Sequence, residues 1–408
     1  MRLAGRAAVV LTVLLLLVFA SAEVPLARAA SMSVVASVTV HGGPGGLAYD
    51  SAKGEVFVAD SAYDANSVAV ISDATNSVVA NVSVGSDPVQ VAYDSGKGEV
   101  FVADYGSNTV SVISDSTNAV VSTVKVGSGP AGLAYDSAKG EIFVSNYGSN
   151  TVSVISDSTN TVVTNVTIAS SGTGGSGPAG IAYDPTKGEL YVADSDSCNG
   201  YCPISSNTVS VISDSENKVV ANVTVGEWPS TMAYDAARDE MFVGTNYGGA
   251  APNNVTVISD ATNTVVANLV LGPTLYNMAY DPASGEVLAT TGVGAVVYMI
   301  SDSTNAVIGN LTLGGVYGTG GADGVAYDSG KGELFVSDGS SEVFVVSGSV
   351  ASSTSTEVTS SAPSTTTSAA SSSSLPVSYI VLLFVQIGVI LAVASSPLGR
   401  KRNKPLTR

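Results

Sequence analysis

Histidine occurs once in 408 residues, tryptophan once and cysteine twice, and no stretch repeats apolar residues with a helical 3.6-residue period. Each absence excludes something. A Ser/His or Cys/His catalytic pair needs a base, and His41, beside Gly42 and Gly43, has no partner fixed by spacing. It reads as a surface residue, and the chain is expected not to be an enzyme. Cys198 and Cys202, four apart around Asn199-Gly200, supply too few ligands for a metal site. Outside the cell they are expected to form one small-loop disulfide. Basic residues are scarce where they would matter: residues 30–375 hold 8 Lys or Arg against 33 Asp or Glu, a net charge of −25. Phosphate backbones are bound by clustered bases, so nucleic acid is not an expected partner.

The two ends differ from the middle. Arg2 and Arg6 precede an apolar run from Ala7 to Ala20 and small-residue cleavage candidates, so residues 1–29 read as a secretory signal peptide, with an uncleaved anchor as the alternative. Residues 349–375 are a Ser/Thr-rich stalk, with 18 Ser or Thr among residues 349–374. Residues 376–396 are long and apolar enough for one transmembrane helix, and residues 397–408 form a basic tail that marks the cytoplasmic side. The expected location is the cell membrane, single-pass, with residues 30–348 facing the exterior. A cell-wall sorting signal that is later cut is the alternative for the last three segments.

Between the ends the chain repeats. Ala-Tyr-Asp occurs at Tyr49, Tyr93, Tyr135, Tyr183, Tyr234, Tyr280 and Tyr327, spaced by 44, 42, 48, 51, 46 and 47 residues, and Ile-Ser-Asp follows in six units. Periods of this length belong to propellers and solenoids. Every unit reads as four short strands, A to D. In the second unit these are Val91 to Asp94, Glu99 to Ala103, Thr109 to Ile113 and Ala119 to Val126, with Asp, Gly and Asn at the turns. The last unit lacks its fourth strand, and residues 33–40 match residues 77–84 at six of eight positions. An N-terminal strand that completes the C-terminal blade closes a ring. The expected fold is therefore all-β, a seven-bladed β-propeller over residues 30–348.

Phe143-Val-Ser-Asn146 followed by Tyr147-Gly-Ser-Asn-Thr-Val-Ser-Val154 resembles the YVTN-type β-propeller repeat of surface-layer-associated archaeal and bacterial proteins, over about residues 31–350. Tyr191-Val-Ala-Asp194 and Phe101-Val-Ala-Asp104 are similar to it, whereas Phe242-Val-Gly-Thr245 and Leu288-Ala-Thr-Thr291 depart from it. The resemblance implies blade construction and a place in the cell envelope, and no particular activity.

The A-B and C-D turns keep constant length, and all length variation falls in B-C connections of blades one, four and five and D-A connections entering blades four and seven. Both kinds emerge on one face of a propeller, which is where binding is expected. Tyr63, Tyr105, Tyr147, Tyr201, Trp228, Tyr247, Tyr276 and Tyr317 are the candidate ligand-binding residues of that face. For Tyr105 and Tyr147, packing on the neighbouring blade is the competing reading. Sequons at Asn81, Asn165, Asn222, Asn254 and Asn310 are candidate glycosylation sites, four of them at one position of strand D.

Two other motifs carry less. Gly172-x-Gly174-x-x-Gly177 has the letters of a dinucleotide fingerprint but leads into a strand where that motif needs a helix. Asp194 to Gly200 approximates a calcium loop without its terminal Glu. No cofactor is expected. The functional expectation is a membrane-anchored surface module that binds a glycan, an envelope protein or a surface-layer protein. An extracellular lyase or lactonase and a purely structural envelope component are the alternatives.

Overall fold

The computed structural model describes residues 32–62, 66–168, 176–196, 206–245, 253–272, 274–292, 294–314 and 322–348. These residues form seven four-stranded antiparallel sheets, and six of them are consecutive up-and-down blades. The seventh is composite. Strand A (Val325–Asp328), strand B (Glu333–Ser337) and strand C (Glu342–Gly348) are joined by the N-terminal strand Met32–Thr39 as the outermost member. Met32 lies opposite Gly348 and Thr39 opposite Glu342, and the Val40 N–H donates to Ser341 O at 2.8 Å. The expected closure is what the chain does.

Burial explains the composition of each strand. Strands B and C lie between two neighbouring blades, so both faces are covered and the sequence is nearly continuously apolar, as in Glu99–Asp104 and Thr109–Ser114. Strand D borders solvent and alternates, as in Ala119–Lys125. The core is a ring of seven inter-blade clusters. One joins Phe57 and Val70 of blade one to Val91, Val100 and Ile113 of blade two, and the closing cluster joins Val38, Phe335 and Val345 to Leu47, Val56 and Ile71. The strand-B residues Phe57, Phe101, Phe143, Tyr191, Phe242, Leu288 and Phe335 are fully buried in these clusters.

Strand A differs from the sequence expectation in one respect. In blade two it begins at Pro88, three residues before Val91. Proline reads as a strand breaker, yet Pro88 pairs with Asp104 because strand A is the edge strand beside the central channel, where a missing N–H is tolerated.

The face bearing the A-B and C-D turns is built from repeated polar contacts. The Asp of each Ala-Tyr-Asp caps its own turn: Asp94 Oδ1 accepts the N–H groups of Gly96 at 2.8 Å and Lys97 at 3.2 Å, and all seven blades repeat this. The Tyr hydroxyl reaches the Asp of the preceding blade, Tyr135 to Asp94 and, across the closure, Tyr49 to Asp328. Burial and these carboxylates push the tyrosine pKa values well above the ordinary phenol value, so each hydroxyl remains a donor. Lysines cross the same seams, Lys97 to the Asp157 carbonyl and Lys331 to the Asp73 carbonyl.

No helix among the described residues is long and apolar enough to cross a membrane. Residues 1–29, 349–375, 376–396 and 397–408 lie outside the described residues, as do Cys198 and Cys202.

Candidate functional site

The B-C and D-A connections emerge where strand A begins, at the mouth of the central channel. Strand A carries a bulge there in six blades, between Pro130 and Gly132 in blade three and between Leu275 and Asn277 in blade six, for example. In blades three and six a hydroxyl from strand B, Ser145 or Thr290, fills the bulge, and Ser337 takes the equivalent place in blade seven. The Gly132 N–H donates to Ser145 Oγ at 2.8 Å, and Ser145 Oγ donates to the Ala179 carbonyl of blade four. The Gly324 N–H donates to Ser337 Oγ at 2.7 Å, and Ser337 Oγ donates to Gly45 O of blade one at 2.8 Å. At these two seams, three to four and seven to one, a hydroxyl thus ties the inner strands of neighbouring blades. A Cβ on Gly324 would sit 2.2 Å from Gly45 O, which is why that position has no side chain.

This rigid wall encloses a cavity of about 330 Å³. Equivalent wall positions are Gly46, Gly132 and Gly180 in blades one, three and four, but Gln90, Thr231 and Asn277 in blades two, five and six. Ser61, Ser230, Tyr276 and Asp323 complete the polar lining, and among the described residues no Lys, Arg or His takes part. Tyr276 is 49% exposed. Burial, then the Asp338 carboxylate, pushes the Asp323 carboxyl up to about 6. Burial acts on Asp338 as well. Hydrogen bonds from the Ser340 hydroxyl and the N–H groups of Glu342, Ser340 and Ser341 outweigh it and hold that carboxyl below its usual range. A second recess of about 650 Å³, lined by His41, Gly339 and Ser340 at the seam of blades seven and one, shares Ser61 and Asp323 with the first. Among the described residues no group of three or more His, Cys, Asp or Glu is arranged to hold a metal.

The expected ligand-binding aromatics divide. Tyr276 lies in strand A of blade six (Leu275–Asp281) rather than in a loop, lines the cavity, and has its ring beside Gly292. Tyr105, 41% exposed, sets its ring against Gly129 of blade three, and the half-buried Tyr147 sets its ring against Gly177 of blade four. Both pack on the neighbouring blade. Trp228 is half-buried in the turn entering blade five, where its backbone N–H donates to Ser206 O at 2.8 Å. Its φ of +53° is the left-handed conformation that Gly129 adopts in the corresponding turn of blade three, and for a bulky residue it costs about 1 kcal/mol or more. Tyr63, Tyr201, Tyr247 and Tyr317 lie outside the described residues. Strands flanking two of the long connections lengthen toward the mouth, with Ser176 opposite Asp196 in blade four and Asn253 opposite Gly272 in blade five.

Gln90, Thr231, Asn277 and Asp323 escaped the sequence reading, which followed aromatics. The signal was present in the repeats: two residues before the Ala of Ala-Tyr-Asp, four blades carry Gly and three carry an amide or hydroxyl.

No known protein family's sequence profile matches the chain, and no curated protein matches it. Among solved structures, the chain is similar to hydrazine synthase of Kuenenia stuttgartiensis, with a TM-score of 0.61 and 19% identity over 73% of this chain and 93% of that chain. At that identity the likeness is one of fold, and the fold shown for this chain is the seven-bladed β-propeller.

Proposed function

We propose that this chain is an exported, membrane-tethered binding propeller of the YVTN-like surface type, and that its ligand is a saccharide seated in the channel mouth. The observation that carries the reading is the chemistry of the cavity wall: amides at Gln90 and Asn277, hydroxyls at Ser230 and Thr231, a half-exposed Tyr276 ring and a single carboxyl at Asp323. Sugars are neutral and rich in hydroxyl groups, with one apolar ring face. Paired amides and hydroxyls satisfy the former and an aromatic ring covers the latter. The described wall residues include no cation to favour an anion, and a net charge of −25 over residues 30–375 repels one. The apolar run at 376–396 with its basic tail, and the apolar run near the N-terminus, support export and tethering.

Titration calorimetry of the full chain against neutral envelope oligosaccharides tests this. Binding is expected to weaken tenfold or more in Tyr276→Ala and severalfold in Gln90→Ala, with folding unchanged. Wild-type affinity in both variants contradicts the site. A propeller enzyme is the second reading, favoured by one observation: the Asp323 carboxyl, near 6, can exchange a proton at the cavity wall. Under that reading Asp323→Asn abolishes turnover of the bound saccharide. Under the binding reading no turnover exists to lose.

A further inference from the structure

The rim of the disc carries a pattern that neither the channel nor blade construction requires. One position of strand D, the third residue in six blades and the fourth in the N-terminal strand, is an exposed aliphatic in all seven: Val35, Val79, Val121, Val163, Val220, Val266 and Ile308, each 37 to 54% exposed. Strand D is also the free edge of its sheet. A bare edge bearing exposed valines is a site of unwanted strand pairing. The aliphatic residue is the extra one of a bulge in strand D, and two residues further along the same strand stand Asn81, Asn165, Asn222 and Asn310 in four blades, all exposed. Each is followed at the second position by an exposed hydroxyl residue, Ser83, Thr167, Thr224 or Thr312.

Strand C orients two of these amides. Ser153 Oγ donates to Asn165 Oδ1 at 2.7 Å and Ser210 Oγ to Asn222 Oδ1 at 3.1 Å, which leaves each Nδ2 as the outward end. The fifth sequon differs on every count. Asn254 is in strand C (Asn253–Ser259), its Oδ1 is buried, and Thr256, 1% exposed, already donates to Asn268 Oδ1 at 2.9 Å. Asn268 has the same rim geometry as Asn165, but Val270 replaces the hydroxyl residue that would complete its sequon.

We propose that Asn81, Asn165, Asn222 and Asn310 carry N-linked glycans that cover the neighbouring aliphatic side chains of the rim, and that Asn254 carries none. This rests on the export proposed above. In each transfer the asparagine Nδ2 attacks the anomeric carbon of a polyprenyl-phosphate-linked oligosaccharide. An N–C bond forms, the C–O bond to the lipid phosphate breaks, and the nitrogen loses one proton as the lipid phosphate departs. The test is to produce the chain from residue 30 to residue 408 behind the export signal of a host that N-glycosylates its secreted proteins, then to map glycopeptides by mass spectrometry. Using the host's signal separates this proposal from the reading of residues 1–29. Occupancy at the four rim sites and not at Asn254 is expected, and Val270→Thr is expected to add a fifth glycan, at Asn268. A translocated chain without glycan at the four sites, equal occupancy at Asn254, or no glycan at Asn268 in the Val270→Thr variant would overturn it.

Discussion

Asp194 and Asn146 occupy the same place, the end of strand B, in blades four and three. Asn146 Nδ2 donates to Ser153 Oγ at 2.9 Å, and Ser153 in turn donates to Asn165 Oδ1. In blade four, Ser210 Oγ lies 2.8 Å from Asp194 Oδ2 and 3.1 Å from Asn222 Oδ1, so one hydroxyl proton faces two acceptors. A proton on Asp194 removes the conflict, and burial pushes this carboxyl up to about 7. Asp104 in blade two is raised to about 6 for the same first reason, with hydrogen bonds from Ser111, Thr109 and Gly85 limiting the rise. Because the folded-state pKa lies above the unfolded one, near 3.9, the folded chain holds protons that the unfolded chain has released. Stability therefore falls as pH rises from about 4 to about 7 and levels off above that. Thermal melts between pH 5 and pH 8 are expected to show this slope. Asp194→Asn, which copies blade three, should flatten it and raise stability at pH 8 by about 1 to 2 kcal/mol. An unchanged slope in that variant contradicts the assignment. The sequence contained both residues at matched repeat positions, but only the structure shows that the hydroxyl opposite them has a second acceptor.

At the level of the blade, turn chemistry was the most legible feature. Gly between strands A and B and Asn between C and D were expected from the repeats, and Gly98 and Asn118 adopt left-handed φ values of +67° and +49°. Blade five breaks the rule. Its A-B turn places Asp239 at φ +55° where six blades have Gly, and the Asp239 charge adds to burial and to Asp184 in raising the Asp260 carboxyl. Asp239→Gly removes both the backbone strain and the repulsion, so it is expected to stabilise the protein by about 1 kcal/mol despite losing the contact to Tyr234. Denaturant unfolding measures this, and a destabilised variant would show that the contact of 3.2 Å from Tyr234 to Asp239 outweighs strain. Less legible was the inner strand. Apolar periodicity marks only its packed half, from Val91 to Asp94 in blade two, because the half from Pro88 to Gln90 faces the channel and answers to ligand and close approach rather than to the core.

For the molecule as a whole, the split repeat was the decisive sequence signal, since a ring cannot close without a strand contributed from the other end of the chain. The structure places Val38 among Phe335, Val343 and Val345, and removing residues 32–40 would bare that cluster and the edge of Glu342–Gly348. A chain lacking them is expected to melt at lower temperature and to associate through the exposed edge, as seen by light scattering. The channel mouth depends on the same closure, because Ser337 of blade seven ties Gly45 of blade one at its wall. The most direct measurement is hydrogen exchange of the full chain, followed peptide by peptide. The amides of Met32–Thr39 that pair with Glu342–Gly348 should be protected to the same degree as those of the six other outer strands, and should be lost with them in one unfolding event. Exchange of residues 32–39 at the rate of a free tail, while residues 342–348 stay protected, would contradict a closed ring.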